Sequence, residues 1–286
     1  MTTPISHVSD TARWVAIYRA MESERPDALF RDPYARKLGG PHGEAIVAHM
    51  PNGAGTAWPM IVRTAVMDEI IMRSVAEGAT VVMNIAAGLD ARAYRLQLPP
   101  SLTWFHVDFP DVVDYVKGQL VGEAPRCRLE YAAADMTNHG ERSALFARAA
   151  AAAQGGWVLV IAEGLLVYLE REEVAGLAQA LHAQPTFRRW LIDLASPKLL
   201  EWLGKSWGKR LQSGNTPMKF GPAEGTAFFE PHGWREVEFR STWDEALRLK
   251  RTMRGAWLWK LLSKLSSKKR HEEGRRMSGI VLLERR

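Results

Sequence analysis

Residues 80–92 read TVVMNIAAGLDAR, and residues 104–110 read WFHVDFP. Each opens as a short apolar run and stops abruptly in small or acidic residues. Short, nearly continuous apolar runs of this kind between helices are strands of a parallel sheet covered on both faces. The first breaks at Ala86-Ala87-Gly88, where small side chains let a ligand come close to the backbone. The second ends on Asp108, twenty residues after Gly88. At that separation an open α/β sheet offers a carboxylate to the hydroxyls of a ribose.

The same pattern extends in both directions. Leu129–Ala133 is a weaker run ending at Asp135, and Trp157–Ala162 (WVLVIA) ends at Glu163. Arg189–Leu194, Trp234–Arg240 and Ser278–Glu284 complete seven strand-like runs. Helical segments lie between them at Glu141–Ala153 and Arg171–His182, and upstream over residues 60–77. Residues 10–50 read as helical, with Ser9 or Asp10 as the expected cap, and 51–59 (PNGAGTAWP) as a loop. The expected organisation is one α/β domain over 1–286. A helical cap occupies 1–77 and a ligand-binding core 78–286, with a basic insertion at 241–276.

Composition narrows the function classes. The chain has 286 residues, 47% of them hydrophobic, and one cysteine. Cys127 therefore has no internal disulfide partner, and no cysteine–histidine grouping suggests a metal site. A reducing, cytoplasmic setting is expected. No uncharged apolar stretch approaches the roughly 18 residues of a membrane span. The net charge of +6 is uneven: residues 241–276 carry +7 and the remainder −1. The basicity is local, which argues against a general nucleic-acid-binding surface.

Four successive strand ends present Gly88, Asp108, Asp135 and Glu163. Ligands of open α/β sheets bind outside these carboxyl ends. Asp108 suits a ribose, and Asp135 or the N–H that follows it suits an adenine. The Gly-x-Gly-x-x-Gly spacing of a pyrophosphate site is absent, as is a phosphate-cradling Gly-x-x-x-x-Gly-Lys loop. An adenosine ligand without phosphates is therefore expected, and S-adenosyl-L-methionine (AdoMet) has that character. Arg63, near Thr64 and Asp68 on the 60–77 helix, suits a carboxylate of cofactor or substrate; the plain alternative is a solvated helix face. Glu163, next to WVLVIA, needs a partner for its charge. Either the cofactor's cationic groups or an internal salt bridge would supply one. Tyr168 reads equally as a core aromatic or a hydroxyl in the site. Of the histidines, His106 and His232 have no spacing that marks a catalytic base.

In the segments TARWVAIYRAMESERPDALFRDPYARKL, IVRTAVMDEII, MNIAAGLDARAYRL, WFHVDFPDVVDYV, AADM and AEGLLVYLEREEV, the chain resembles the leucine carboxyl methyltransferase family. It is most similar to the bacterial branch, described as O-methyltransferases of polyketide and related secondary metabolism. The resemblance runs from about Thr11 to about Asp193. It implies a seven-stranded, Rossmann-like AdoMet-dependent methyltransferase fold with the last strand antiparallel and an N-terminal helical lid. It places Arg63 at the methionine carboxylate, Asp108 at the ribose, Asp135-Met136 at the adenine, and Gly88 and Glu163 in the same cofactor site. Tyr168 falls near the transfer centre, with Tyr18 and Arg19 facing the acceptor. The implied reaction forms S-adenosyl-L-homocysteine and methylates a carboxylate or hydroxyl of a small or carrier-bound molecule. A carboxylate needs no general base, and Arg63 or Arg19 would orient it. The family's Gly-Ala-Gly-Leu-Asp-Thr-Arg turn is altered to Ala86 and Ala91, and a Cβ at position 86 restricts that turn.

Two other readings compete. One is an oxidoreductase of NAD type, which lacks its glycine spacing. The other is a catalytically weakened AdoMet-binding or scaffold protein, suggested by Ala86 and the basic stretch. That stretch places Leu247, Met253, Trp257, Leu258, Leu261, Leu262 and Leu265 largely at helical spacing among lysines and arginines. A basic amphipathic helix can meet an anionic membrane surface or an acidic carrier protein. It can equally pack on the sheet with a solvated basic face.

Overall fold

The computed structural model describes residues 8–50, 53–213, 217–253 and 268–286. The seven runs form strands β1 (Ala79–Ile85), β2 (Thr103–Asp108), β3 (Arg128–Ala133), β4 (Trp157–Ala162), β5 (Phe187–Ala195), β6 (Trp234–Ser241) and β7 (Ser278–Arg285). They make one sheet in the order β3-β2-β1-β4-β5-β7-β6. β1 to β5 are parallel, and β7 runs antiparallel between β5 and β6. β2 and β4 are buried at every position, as expected of parallel strands covered on both faces. One apolar layer packs around Phe146, Phe187, Trp190 and Trp234, and the other around Val66, Ile70, Trp104 and Leu159.

The chain order reverses between β1 and β4. Successive crossovers leave β1 first toward β2 and β3, and later toward β4 and β5. A crevice opens at such a switch point, outside the carboxyl ends of the strands. Above it lie α1 (Val8–Ser23), α2 (Ala35–Ala48) and α3 (Trp58–Ala76). α2 is broken at Gly40, where φ is 62°, just before Pro41. Proline cannot donate the helical hydrogen bond, and glycine tolerates the left-handed turn that restarts the helix.

The structure revises several boundaries. α1 begins at Val8, so Ser9 and Asp10 lie inside the helix rather than capping it. The region between β2 and β3 contains a helix absent from the sequence reading, α5 (Pro110–Gln119), which follows the short α4 (Arg92–Arg95). Proline at its first position suits a helix start, but only Val113 and Val116 on it are buried, too sparse a stripe for periodicity to reveal. α6 (His139–Ala152) has the Asn138 side chain as its cap, and α7 (Arg171–His182) matches the expected span. The rest comprises α8 (Pro197–Ser213), α9 (Thr242–Arg248) and α10 (Lys268–Arg275). The centre of the basic amphipathic stretch, including Trp257 to Leu265, lies outside the described residues. Its flanks pair within the fold. Arg248 meets Glu69 and Glu245, Arg251 meets the fully buried Glu22, Arg275 meets Asp244, and Arg276 meets Glu236. Among the described residues, no helix is long and apolar enough to cross a membrane.

Candidate active site

A cavity of about 2380 Å³ opens at the carboxyl edge of the sheet and is roofed by the N-terminal helices. Gly88, Asp108, Asp135, Met136, Glu163, Arg63, Arg19 and Tyr168 all line it. Residues from seven places along the chain thus converge on one chamber. Their detailed contacts differ from the sequence expectations in several places.

The β1 turn is built around two left-handed residues, Ala86 (φ 50°) and Gly88 (φ 55°). Ala87 donates its N–H to Val107 O at 2.9 Å, which holds the turn against β2. The Cβ at position 86 has therefore not abolished the turn; alanine adopts the strained conformation. Gly88 donates its N–H to Asp108 Oδ2 at 2.6 Å, and Phe109 donates to Asp108 Oδ1 at 2.8 Å. Burial pushes the Asp108 carboxyl up, and these two N–H groups oppose the rise. The β1 and β2 ends are thereby locked together, with the carboxylate on the cavity wall.

Glu163 is largely enclosed, and of its two expected partners the internal salt bridge is the one formed, with the protein's own arginines. Arg63 Nε donates to its Oε1 at 2.9 Å, and Arg92 Nη1 to its Oε2 at 2.6 Å. Burial pushes its carboxyl up, and the Arg92 and Arg63 guanidiniums outweigh this and hold it at about 2. Arg63 also donates through Nη1 to Asp193 Oδ2 at 2.9 Å, while Gly164 N–H donates to Asp193 Oδ1 at 2.6 Å. Asp68 pairs with neither Arg63 nor solvent: Arg92 and Arg95 hold it at 2.6 and 2.7 Å. Asp90 accepts from Asn84, Arg92 N–H and Arg92 Nη1.

Arg19 is engaged within the protein. It lies on the wall, but its Nε donates to the fully buried Asp32 at 3.0 Å and its Nη2 to the Leu89 carbonyl. It clasps the lid to the β1 turn. Asp135 turns one oxygen back to Thr137, taking its N–H at 2.8 Å and its hydroxyl at 2.7 Å. Met136 packs into the apolar layer of β3 and α6. Tyr168 borders the chamber near Arg63, and burial raises its phenol, opposed by a hydrogen bond to Thr11. Tyr18 binds Thr56 and the Met50 sulfur. His106 is buried against Tyr131, and burial pulls it down to about 4. His106 and His232 are both outside the lining of this cavity.

Arg92, Asp90 and Asp193 complete the cluster and were missed as site residues. Asp90 and Arg92 lie inside the turn that opens the sequence reading. Asp193 lies near the end of β5 in the way Asp108 ends β2, so the strand-end rule reaches it too.

The family model described as leucine carboxyl methyltransferase matches residues 12–182. A Mycobacterium tuberculosis protein named "Putative S-adenosyl-L-methionine-dependent methyltransferase" is 36% identical over 176 residues, 57% of each chain. A Saccharopolyspora erythraea protein of the same name is 34% identical over 186 residues, 62% of this chain and 64% of that one. The chain thus matches less than two thirds of the length of these relatives. Among solved structures, a DUF574 family protein from Streptomyces avermitilis superposes with a TM-score of 0.64 at 14% identity, covering 99% of both chains. A structure from Thermobifida fusca YX described as a "putative methyltransferase" gives 0.59 at 13%, covering 99% and 96%. At such identities these two likenesses speak for the fold.

Proposed function

The chain belongs to the leucine carboxyl methyltransferase family, and from that premise we propose that it is an AdoMet-dependent O-methyltransferase acting on a carboxylate. The observation that carries the reading is the row of strand ends Gly88, Asp108, Asp135 and Glu163 on one cavity wall at the switch point. The residues fit the cofactor. Asp108 is a buried carboxylate whose backbone donors leave lone pairs for ribose hydroxyls. The adenine lies by this reading at Asp135-Met136, and the amino-acid end at the Arg63–Glu163 pair. The relatives' names agree with AdoMet as the donor.

When bound, AdoMet supplies a methyl group on cationic sulfur, which leaves as the neutral thioether S-adenosyl-L-homocysteine while the carboxylate becomes an ester. No proton moves, because a carboxylate is already ionised near neutral pH. The chain's task is to align and partly dry the reacting oxygen. The N-terminal helices exclude water from above. Tyr168, whose phenol is raised by burial, offers a hydroxyl beside Arg63. His106, neutral and walled off, has no part in the transfer.

The test is calorimetric titration of the protein with AdoMet and with S-adenosyl-L-homocysteine, using Asp108→Ala as control. Binding that disappears in Asp108→Ala supports the crevice and its ligand. A folded wild-type protein that binds neither compound overturns the reading.

A further inference from the structure

The chamber is far larger than one cofactor requires: it holds about 2380 Å³, against about 300–1,000 Å³ for an ordinary small-molecule site. Its two halves also differ in chemistry. The polar strand ends sit on β3, β2, β1 and β4. Past β4 and Asp193 the wall turns largely apolar, passing Leu194 and Ala195 at the end of β5 to α8. There Leu199, Trp202 and Leu203 line the same space as Trp14 of α1, Trp58 of α3 and Trp243 of α9. Trp58 and Trp243 touch edge to face at 6.1 Å. Trp202 remains 57% exposed. A large aromatic left open on the wall of a concave chamber marks a place where apolar surface is received.

The cations of the wall point the same way. Among the described residues, each arginine lining the chamber already has an acid. Arg19 has Asp32, Arg25 has Asp27, Arg63 has Glu163 and Asp193, Arg92 has Asp68 and Glu163, and Arg275 has Asp244. Guanidinium groups so engaged offer a second anion little net attraction, so the acceptor's affinity has to come from its hydrocarbon surface.

We infer that the methyl acceptor is a bulky apolar molecule that buries its body between α1, α3, α8 and α9 and presents a single acidic oxygen beside Tyr168 and Arg63. The inference rests on the methyl-transfer reading and names the substrate class for that same site. Trp202 is the contact residue assigned to the acceptor's body.

The test uses the full chain saturated with S-adenosyl-L-homocysteine and 1-pyrenebutyric acid as probe, read by energy transfer from tryptophan to pyrene. Saturable binding is expected, and butyric acid, with the same carboxylate and no ring system, should not compete. Trp202→Ala should weaken probe binding at least about tenfold, as loss of a large aromatic anchor does. Trp202→Phe should restore most of it. AdoMet affinity by calorimetry should stay within about twofold in both variants, since the sites are separate. No saturable probe binding, equal competition by butyrate, or an unchanged probe affinity in Trp202→Ala would each overturn the inference. Loss of AdoMet binding by the wild-type protein would instead refute the methyl-transfer reading, so the two failures are told apart.

Discussion

Ala86 holds a φ of 50° at the head of the β1 turn, with Gly88 two residues on at 55°. A residue with a Cβ pays about 1–2 kcal/mol for that conformation. Glycine escapes the strain but loses about 0.5–1 kcal/mol more backbone entropy on folding. Ala86→Gly is therefore expected to raise stability by about 0.5–1 kcal/mol. It should leave cofactor affinity equal or better. Urea unfolding measures the first and calorimetry the second; a destabilised variant would show that the turn does not carry this strain. The residue scale also explains why the alteration from the family's glycine is tolerated. The turn is held from both sides, by Ala87 on Val107 and by Gly88 on Asp108. Those bonds lie at neighbouring positions and do not depend on the side chain at 86.

Between elements, the lid is joined to the sheet by charge as well as by apolar contact. α1 packs on α2 through the close approach of Gly39 and Gly43 to Ile17. Arg19 of α1 then reaches both Asp32, before α2, and the Leu89 carbonyl after β1. Arg251, just after α9, reaches back to Glu22 at the end of α1. Removing one member of such a buried pair strands its partner, at a cost of about 3–5 kcal/mol. Arg19→Ala should show a loss of that order. Amide exchange should quicken over α1 and α2 while β1, β2 and β4 stay protected. A variant of unchanged stability and exchange, but with lowered methyl transfer, would assign Arg19 to orienting the acceptor.

Across the molecule, α3, the β1 turn, β4 and β5 meet in one ion network centred on Glu163. Its carboxyl is held at about 2, against a usual 4.5, because two guanidiniums outweigh the effect of burial. A carboxyl depressed in the folded state stabilises the fold above its unfolded pKa, and that contribution is lost as pH falls through the folded value. Wild-type stability should thus decline between about pH 4.5 and pH 2 through this group. Glu163→Gln should be less stable at pH 7 by about 3 kcal/mol, because the buried Arg92 and the largely enclosed Arg63 lose a shared acid. Its stability should also vary less across that acid range. Denaturant unfolding at a series of pH values measures both; a wild-type slope retained in the variant would assign the acid sensitivity to other carboxylates.

The sheet and the edge that lines the chamber could be read from the chain alone. Buried strands are local runs of apolar residues, and whatever ends a run must emerge at the edge, so Gly88, Asp108, Asp135 and Glu163 were identifiable without coordinates. WVLVIA became β4 residue for residue. What the tertiary structure decided was pairing. Arg63 meets Glu163 100 positions away and Asp193 130 positions away, and no local pattern encodes such a distance. Of the two partners open to Glu163, a cofactor charge or an internal salt bridge, the packing supplied the salt bridge, and it gave Asp68 to Arg92 and Arg95 rather than to Arg63. The residue types announce that charges must be matched; only the packing of α3, the β1 turn, β4 and β5 around one chamber determines which charge matches which.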